Sequence, residues 1–266
     1  MITYIELKNR YILKNCRLHA EGGLHIGTGI PNADTDAPFI REGERPFVPG
    51  SSLRGSMRST VERIVRTLFG ENACCVLFED NNGHDCVAGN KVKRKSLEQA
   101  GEISAEDLES ICAICRLFGS TLVASRLKIS DAYPVDGASQ NLIRRDGVGI
   151  DRDTETAQAK IKYDFEVLER GSDFVFEMQL ENAEQTDFAL TYMLLQEMRH
   201  GLDVGGKKSR GLGRTRLTGY EVEYFDEERE YPLSNYLREG MGRMDAATFE
   251  DLVRSEFDLY LAGLRT

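Results

Sequence analysis

Apolar residues along this chain recur at two periods, near two and near 3.6, which divides it into strands and helices. Residues 11–19, YILKNCRLH, are apolar-rich and predict a first strand. The next segment, EGGLHIGTGIPNADTDAP at 21–38, is a loop rich in glycine and short polar residues. PFIREGERPFVPG predicts a turn between two extended pieces. Ser51 is placed to cap a helix in which Leu53, Met57, Val61, Ile64 and Leu68 recur at spacings of 4, 4, 3 and 4. Arg54, Arg58, Arg63 and Arg66 fall largely off that stripe. Residues 70–116 break the pattern: few large aliphatics precede 103, and SAEDLESICAIC predicts a short helix ending at a Cys-x-x-Cys. RLKISDA at 126–132 predicts a strand. Residues 133–163 are polar and longer than an ordinary connection, so they predict an exposed hairpin or arm. Two strands follow around Arg170-Gly171-Ser172, and in the second Phe174, Phe176, Met178 and Leu180 alternate. A helix is expected from about Thr186 to His200 with Gly201 as its stop. RTRLTGYEVEYF predicts a last core strand, and residues 245–264 an amphipathic acidic helix.

Without its insertions the order is β-α-β-β-α-β, a split βαβ or ferredoxin-like arrangement within the α+β class. Small sheets of this kind commonly carry single-stranded RNA. The 266 residues, 41% hydrophobic, suffice for one elaborated domain. No run of about 18 apolar residues is present to span a membrane, and MITYIELKNR lacks an apolar signal core, so a cytoplasmic protein is expected.

Charge changes the picture in one respect. The net charge of −10 argues against nucleic acid until its distribution is considered. Residues 220–266 hold 12 acids against 5 arginines, a net of −7, which leaves −3 for the other 219 residues. Within those stand three basic clusters: RGSMR at 54–58, KVKRK at 91–95 and GGKKSRGLGR at 205–214. The last has four glycines, four cations and one serine in ten positions. Such a turn can present backbone N–H groups and charge to phosphate through Gly205, Gly206, Lys207, Lys208, Ser209 and Arg210, or it can be a solvated connection. Its spacing matches neither a P-loop nor a dinucleotide fingerprint.

Five of the six cysteines lie within 70–116. Zinc takes four soft ligands, often as short-spaced pairs, and a small insertion poor in apolar residues gains its fold from such a site. Cys74, Cys86, Cys112 and Cys115 form the preferred set, with Cys75 or His84 able to replace one; a redox pair and free core cysteines are the alternatives. Cys16 alternates within the first strand as a core residue. Asp34 and Asp36, one residue apart on the loop, suit a hydrated Mg²⁺ or general acid–base work, but short Asp-Thr-Asp segments more often build an Asx-turn. His25 reads as a packed histidine. The polar excursion carries Arg144, Arg145, Arg152, Lys160 and Lys162 among acids.

The succession GGLHIGTG, DTDAP, FVPGSSLRGSMR, CAICRLFGS, RDGVGIDRDTETAQAKIKYDFEVL and GGKKSRGLGR resembles the RAMP superfamily of CRISPR-associated proteins, and most closely the backbone subunits of type III interference complexes. The likeness runs from about 12 to 224 and leaves out the acidic tail, 225–266. It implies a single RAMP domain over 1–266 with an RRM-like core, repeated as adjacent backbone subunits along a CRISPR RNA beside other effector subunits. It implies that Ser51, Ser52, Arg54, Arg58 and the glycine-rich turn hold the guide backbone. Residues 133–163, with Arg144 and Arg145, would be the family's thumb-like β-hairpin, and 70–116 its zinc insertion. It implies that Asp36, with Asp34 as second choice, cuts target RNA with Mg²⁺ or Mn²⁺. Two other readings stay open: a structural RNA-binding subunit without cleavage, and a precursor-CRISPR-RNA processing nuclease using His25, His84 or His200.

Overall fold

A computed structural model describes residues 6–75, 86, 111–120, 123–138, 140–153, 155–229 and 231–263. The first strand, β1 (Asn9–Ala20), is the centre of an antiparallel sheet. β8 (Asp173–Glu181) and β10 (Arg214–Asp226) flank it, both antiparallel. β4 (Leu127–Ile129) pairs with the far side of β8, and β11 (Gly242–Met244) with the far side of β10. The order is β11-β10-β1-β8-β4, with β5 (Tyr133–Pro134) also on β8 and β9 (Leu202–Asp203) on β10. β2 (Arg41–Glu42) and β3 (Arg45–Pro46) form a small separate hairpin, and β6 (Leu142–Ile150) with β7 (Ala157–Leu168) a long one.

Period two is visible in the burial of the central strands. Tyr11, Leu13, Cys16 and Leu18 of β1 and Phe174, Phe176, Met178 and Leu180 of β8 are buried on one face. There they meet α1 (Gly50–Phe69), α3 (Gln185–His200) and α5 (Ala246–Gly263). Two shorter helices, α2 (Ala113–Phe118) and α4 (Leu233–Glu239), complete the described set. The protein is thus an α+β structure with an antiparallel sheet. None of the described helices is long and apolar enough to cross a membrane.

Four expectations are corrected. The buried stripe of α1 is Leu53, Met57, Val61 and Val65, a strict spacing of four, while Leu68 is 50% exposed. Ser51 does not cap α1: the helix already includes Gly50, whose N–H donates to Asp131 Oδ1 at 2.6 Å. A Cβ at Gly50 would lie 2.6 Å from the Ile129 carbonyl oxygen, so glycine is needed here for packing against β4. The Cys-x-x-Cys opens α2, with Cys112 extended (φ −61°, ψ 152°) in the capping position, while residues 104–110 of the helix expected before it lie outside the described residues. The acidic tail is not wholly helical, since β11 adds an edge strand to the sheet. His84 and the basic cluster 91–95 lie outside the described residues.

Candidate active site and nucleic-acid interface

Three segments meet at the base of the β6–β7 hairpin: the loop after β1, the later half of β7, and the glycine-rich turn. Gly205 has φ +86°, and a Cβ there would lie 2.4 Å from the His25 carbonyl oxygen. Only glycine permits that approach, and it lets the Gly206 amide donate to the same oxygen at 2.8 Å. His25 Nδ1 lies 2.7 Å from the Glu166 carbonyl oxygen. A carbonyl only accepts, so Nδ1 carries the proton. Burial lowers the His25 pKa, with Lys207 adding to the effect against Glu166.

The turn itself is basic but partly engaged. Lys207 Nζ lies 4.3 Å from the Phe165 ring centre and 4.9 Å from that of Tyr163. Arg210 bonds the Tyr163 hydroxyl and covers its ring. Cation–π contact holds the turn against β7 while its outer side faces solvent. Lys208, Ser209 and Arg210 are exposed. The amides of Lys207, Lys208 and Ser209 head a short 3₁₀ turn, whose first N–H groups have no partner inside it.

Asp36 is exposed beside this turn's support strand. Its amide donates to Asp164 Oδ1 at 2.9 Å, and its Oδ2 accepts the Asp164 amide at 3.0 Å. The loop continues along β7: Ala37 bridges Phe165 in parallel, and Phe39 N–H donates to Glu166 Oε2 at 2.8 Å. The Asx-turn in this loop belongs to Asn32, whose Oδ1 accepts the amides of Asp34 and Thr35 at 2.9 and 2.8 Å. Asp34 is exposed, and its carbonyl accepts from Arg144 NH1 at 2.9 Å. Arg145 is exposed on β6. The Thr35 side chain and the Asp36 amide, helped by Arg144 and Lys162, hold the Asp164 carboxyl below the ordinary carboxylate range. Sequence alone points to neither Asp164 nor Glu166. The signal available is KYDFEVL, in which Tyr163 and Phe165 alternate with two acids.

The N-terminal segment of α1 is placed differently from expectation. Ser51 is exposed and Ser52 half-buried. Arg54 donates Nε to the Phe118 carbonyl at 3.0 Å. Arg58, expected to touch the guide backbone, is buried. Its Nε donates to Glu62 Oε1 at 2.8 Å, NH1 to the Gly119 carbonyl at 2.9 Å, and NH2 to Cys115 Sγ at 3.1 Å. Arg66 donates to the Cys75 carbonyl at 2.7 Å. Residues 54, 58 and 66 form one ridge at multiples of four that clamps the cysteine region to α1. Arg58→Ala should therefore lower stability by about 3–5 kcal/mol. A reduced urea midpoint checks this, since a residue that only touched RNA would leave the midpoint unchanged.

Sγ atoms of Cys75, Cys86, Cys112 and Cys115 all lie within 4.8 Å of one another. Cys75 thus takes the place expected for Cys74, which is buried in the main core with Sγ 3.9 Å from the Glu62 carbonyl. A tetrahedron with zinc–sulfur bonds of about 2.3 Å has edges of roughly 3.8 Å. The separations Cys75–Cys115, 3.4 Å, and Cys75–Cys112, 3.7 Å, match it closely. Four soft ligands in this arrangement can bind a metal ion, and a two-cysteine redox pair leaves Cys75 and Cys86 without a role.

The open face of the sheet carries ion pairs along β1, β8 and β10. Arg10–Glu181 is 2.7 Å, Lys14–Glu223 2.5 Å and His19–Asp173 2.8 Å. The aromatic pair Phe47 and Tyr133 lies only at its edge.

The sequence model of the RAMP superfamily matches residues 17–216. Over 264 residues the chain is 25% identical to the CRISPR system Cms endoribonuclease Csm3 of Methanothermobacter thermautotrophicus, covering 86% of this chain and 90% of that one. It is 27% identical over 248 residues to the protein of the same name from Methanocaldococcus jannaschii, covering 85% of each.

Proposed function

The chain belongs to the RAMP superfamily, and we propose that it is a guide-binding backbone subunit of a type III CRISPR effector that cuts complementary target RNA in the cytoplasm. The observation that carries this reading is the junction of an exposed carboxylate, Asp36, with a glycine-rich cationic turn at the root of a long hairpin. The names of the two similar proteins support the same activity. The strand order β10-β1-β8-β4, with α1 and α3 as crossovers, supports a ferredoxin-like core.

In this reading the amides of residues 207–209 and the Lys208 ammonium bind guide phosphates. Val148 and Ile150 are 47% and 68% exposed near the hairpin's end. They act as an apolar wedge that separates bases, and unstacking distorts the target backbone for in-line attack. A divalent ion held by the Asp36 carboxylate would offset charge developing on phosphate. Zinc on Cys75, Cys86, Cys112 and Cys115 serves structure. The hairpin is the thumb, residues 70–116 are the zinc insertion, and adjacent copies with other effector subunits are the partners. The test is cleavage of labelled complementary RNA by the assembled complex. Cutting within the guide-paired region that EDTA stops is the expected result; tight binding without cutting removes the catalytic part.

One observation favours a second reading, a structural subunit: both groups of Asp36 engaged with Asp164 suffice to fasten a loop. Processing of precursor RNA finds less support among the described histidines, since His19 pairs with Asp173, His25 is buried and His200 bonds the Gln196 carbonyl, His84 lying outside them.

Replacing Lys207, Lys208 and Arg210 by alanine should weaken RNA binding without sequence preference. The slope of log affinity against log salt should fall by about 0.7 for each phosphate that the turn no longer neutralises. An unchanged slope in a filter-binding titration identifies the turn as a solvated connection.

A further inference from the structure

We propose that Asp164, at the root of the hairpin, is the positioning residue that holds the Asp36 carboxylate in its working orientation. This rests on the reading of Asp36 as the cleaving carboxylate.

The link runs in both directions. Asp164 Oδ1 accepts the Asp36 amide at 2.9 Å, which fixes the backbone from which the Asp36 side chain departs. The Asp164 amide donates to Asp36 Oδ2 at 3.0 Å, which fixes one carboxylate oxygen and leaves Oδ1 outside the link. Hydrogen bonds to carboxylates are the stronger kind, so the pair restrains a loop that is otherwise exposed. Two neighbouring contacts extend the restraint along β7, since Ala37 bridges Phe165 and its carbonyl accepts the Glu166 amide at 3.0 Å. Arg144 closes the arrangement from the opposite strand. Its Nε is 3.6 Å from Asp164 Oδ2, and its NH1 donates to the Asp34 carbonyl at 2.9 Å. One guanidinium therefore touches both the positioning residue and the loop that carries Asp36, and its charge offsets the repulsion between two adjacent carboxylates. The same bonds fix Asp36 to the strand that forms the hairpin.

Three substitutions separate position from charge. Asp164→Asn keeps an oxygen for the Asp36 amide and removes the charge. Asp164→Glu keeps the charge and displaces it by one methylene. Asp164→Ala removes both. Cleavage of labelled complementary RNA by the assembled complex is measured as kcat and KM, with guide and target affinities and the unfolding midpoint on the same preparations. Misplacing a reacting group by about 1 Å costs on the order of 100-fold. The expected result is a kcat loss of about that size for Ala and Glu, with Asn within about tenfold of wild type and affinities unchanged. Asp164→Ala cutting like wild type beside an inactive Asp36→Ala overturns the positioning role alone. An inactive Asn variant beside an active Glu variant also overturns it, because charge and not placement is then required; this pair decides even if the Ala variant does not assemble. Asp36→Ala cutting like wild type removes the catalytic reading and this inference with it.

Discussion

Asp36→Ala is expected to abolish cleavage of target RNA and to leave guide and target binding nearly intact. A carboxylate that offsets charge developing on a phosphate acts on the transition state, so its loss lowers rate without lowering ground-state affinity. Stabilisation of several kcal/mol by a carboxylate-held cation corresponds to a loss of about 10³-fold or more. Asp36→Asn is the stricter variant. An asparagine oxygen still accepts the Asp164 amide that Oδ2 accepts at 3.0 Å, so the loop stays in place and only the charge disappears. Asp34→Ala is expected to be mild. The loop uses Asp34 through its backbone, its amide to Asn32 and its carbonyl to Arg144, and both survive the substitution. The measurement is single-turnover cleavage in Mg²⁺ or Mn²⁺ beside a binding titration. An Asp36→Ala complex that cuts at the wild-type rate shows the assignment to be wrong. Equal losses at Asp34 and Asp36 show that the two carboxylates share the ion.

The parts legible in the sequence are those with strong local periodicity. Phe174, Phe176, Met178 and Leu180 alternate and are all buried, and the helix stopped by Gly201 ends at His200. The parts that were not legible depend on what lies opposite. Arg54 and Arg58 stand off the apolar stripe of α1, which for an isolated helix reads as a solvated or phosphate-binding face. They meet instead the carbonyls of Phe118 and Gly119 and the sulfur of Cys115, 57 to 64 positions away. Adjacent residues of an extended chain project to opposite sides. Cys74 has φ −146° and ψ 155°, so one of Cys74 and Cys75 must enter the core and the other the cluster. Two cysteines in succession carry no signal to say which. The Asp36–Asp164 link spans 128 positions and joins a loop to a hairpin whose docking no local pattern specifies. The glycine-rich turn was legible as chemistry, but its contacts with Tyr163 and Phe165 were not, since they depend on β7 passing beneath it.

Replacing Cys112 and Cys115 together by serine is expected to abolish zinc binding and to loosen the region that α1 clamps. Among the described residues, Cys75, Ile111, Cys115 and Val123 form a small buried cluster, and two of these belong to the four-cysteine group. A metal ion bound by the four cysteines would add folding energy to this region. Its loss reaches further than the insertion. Arg58 donates to Cys115 Sγ at 3.1 Å, and a serine in that place withdraws one of three partners from a buried guanidinium. The expected outcome is a fall in zinc from one ion per chain to near none, with a lower unfolding midpoint that added zinc does not restore. Treating wild type with a strong chelator lowers the midpoint in the same way, and added zinc reverses that. Two single variants make the assignment specific. Cys75→Ser loses the metal, while Cys74→Ser keeps it and is destabilised only through the core against which Cys74 packs. Elemental analysis is the check: zinc absent from freshly purified wild type removes the site. Metal lost from Cys74→Ser but kept by Cys75→Ser reverses the choice between the two neighbours.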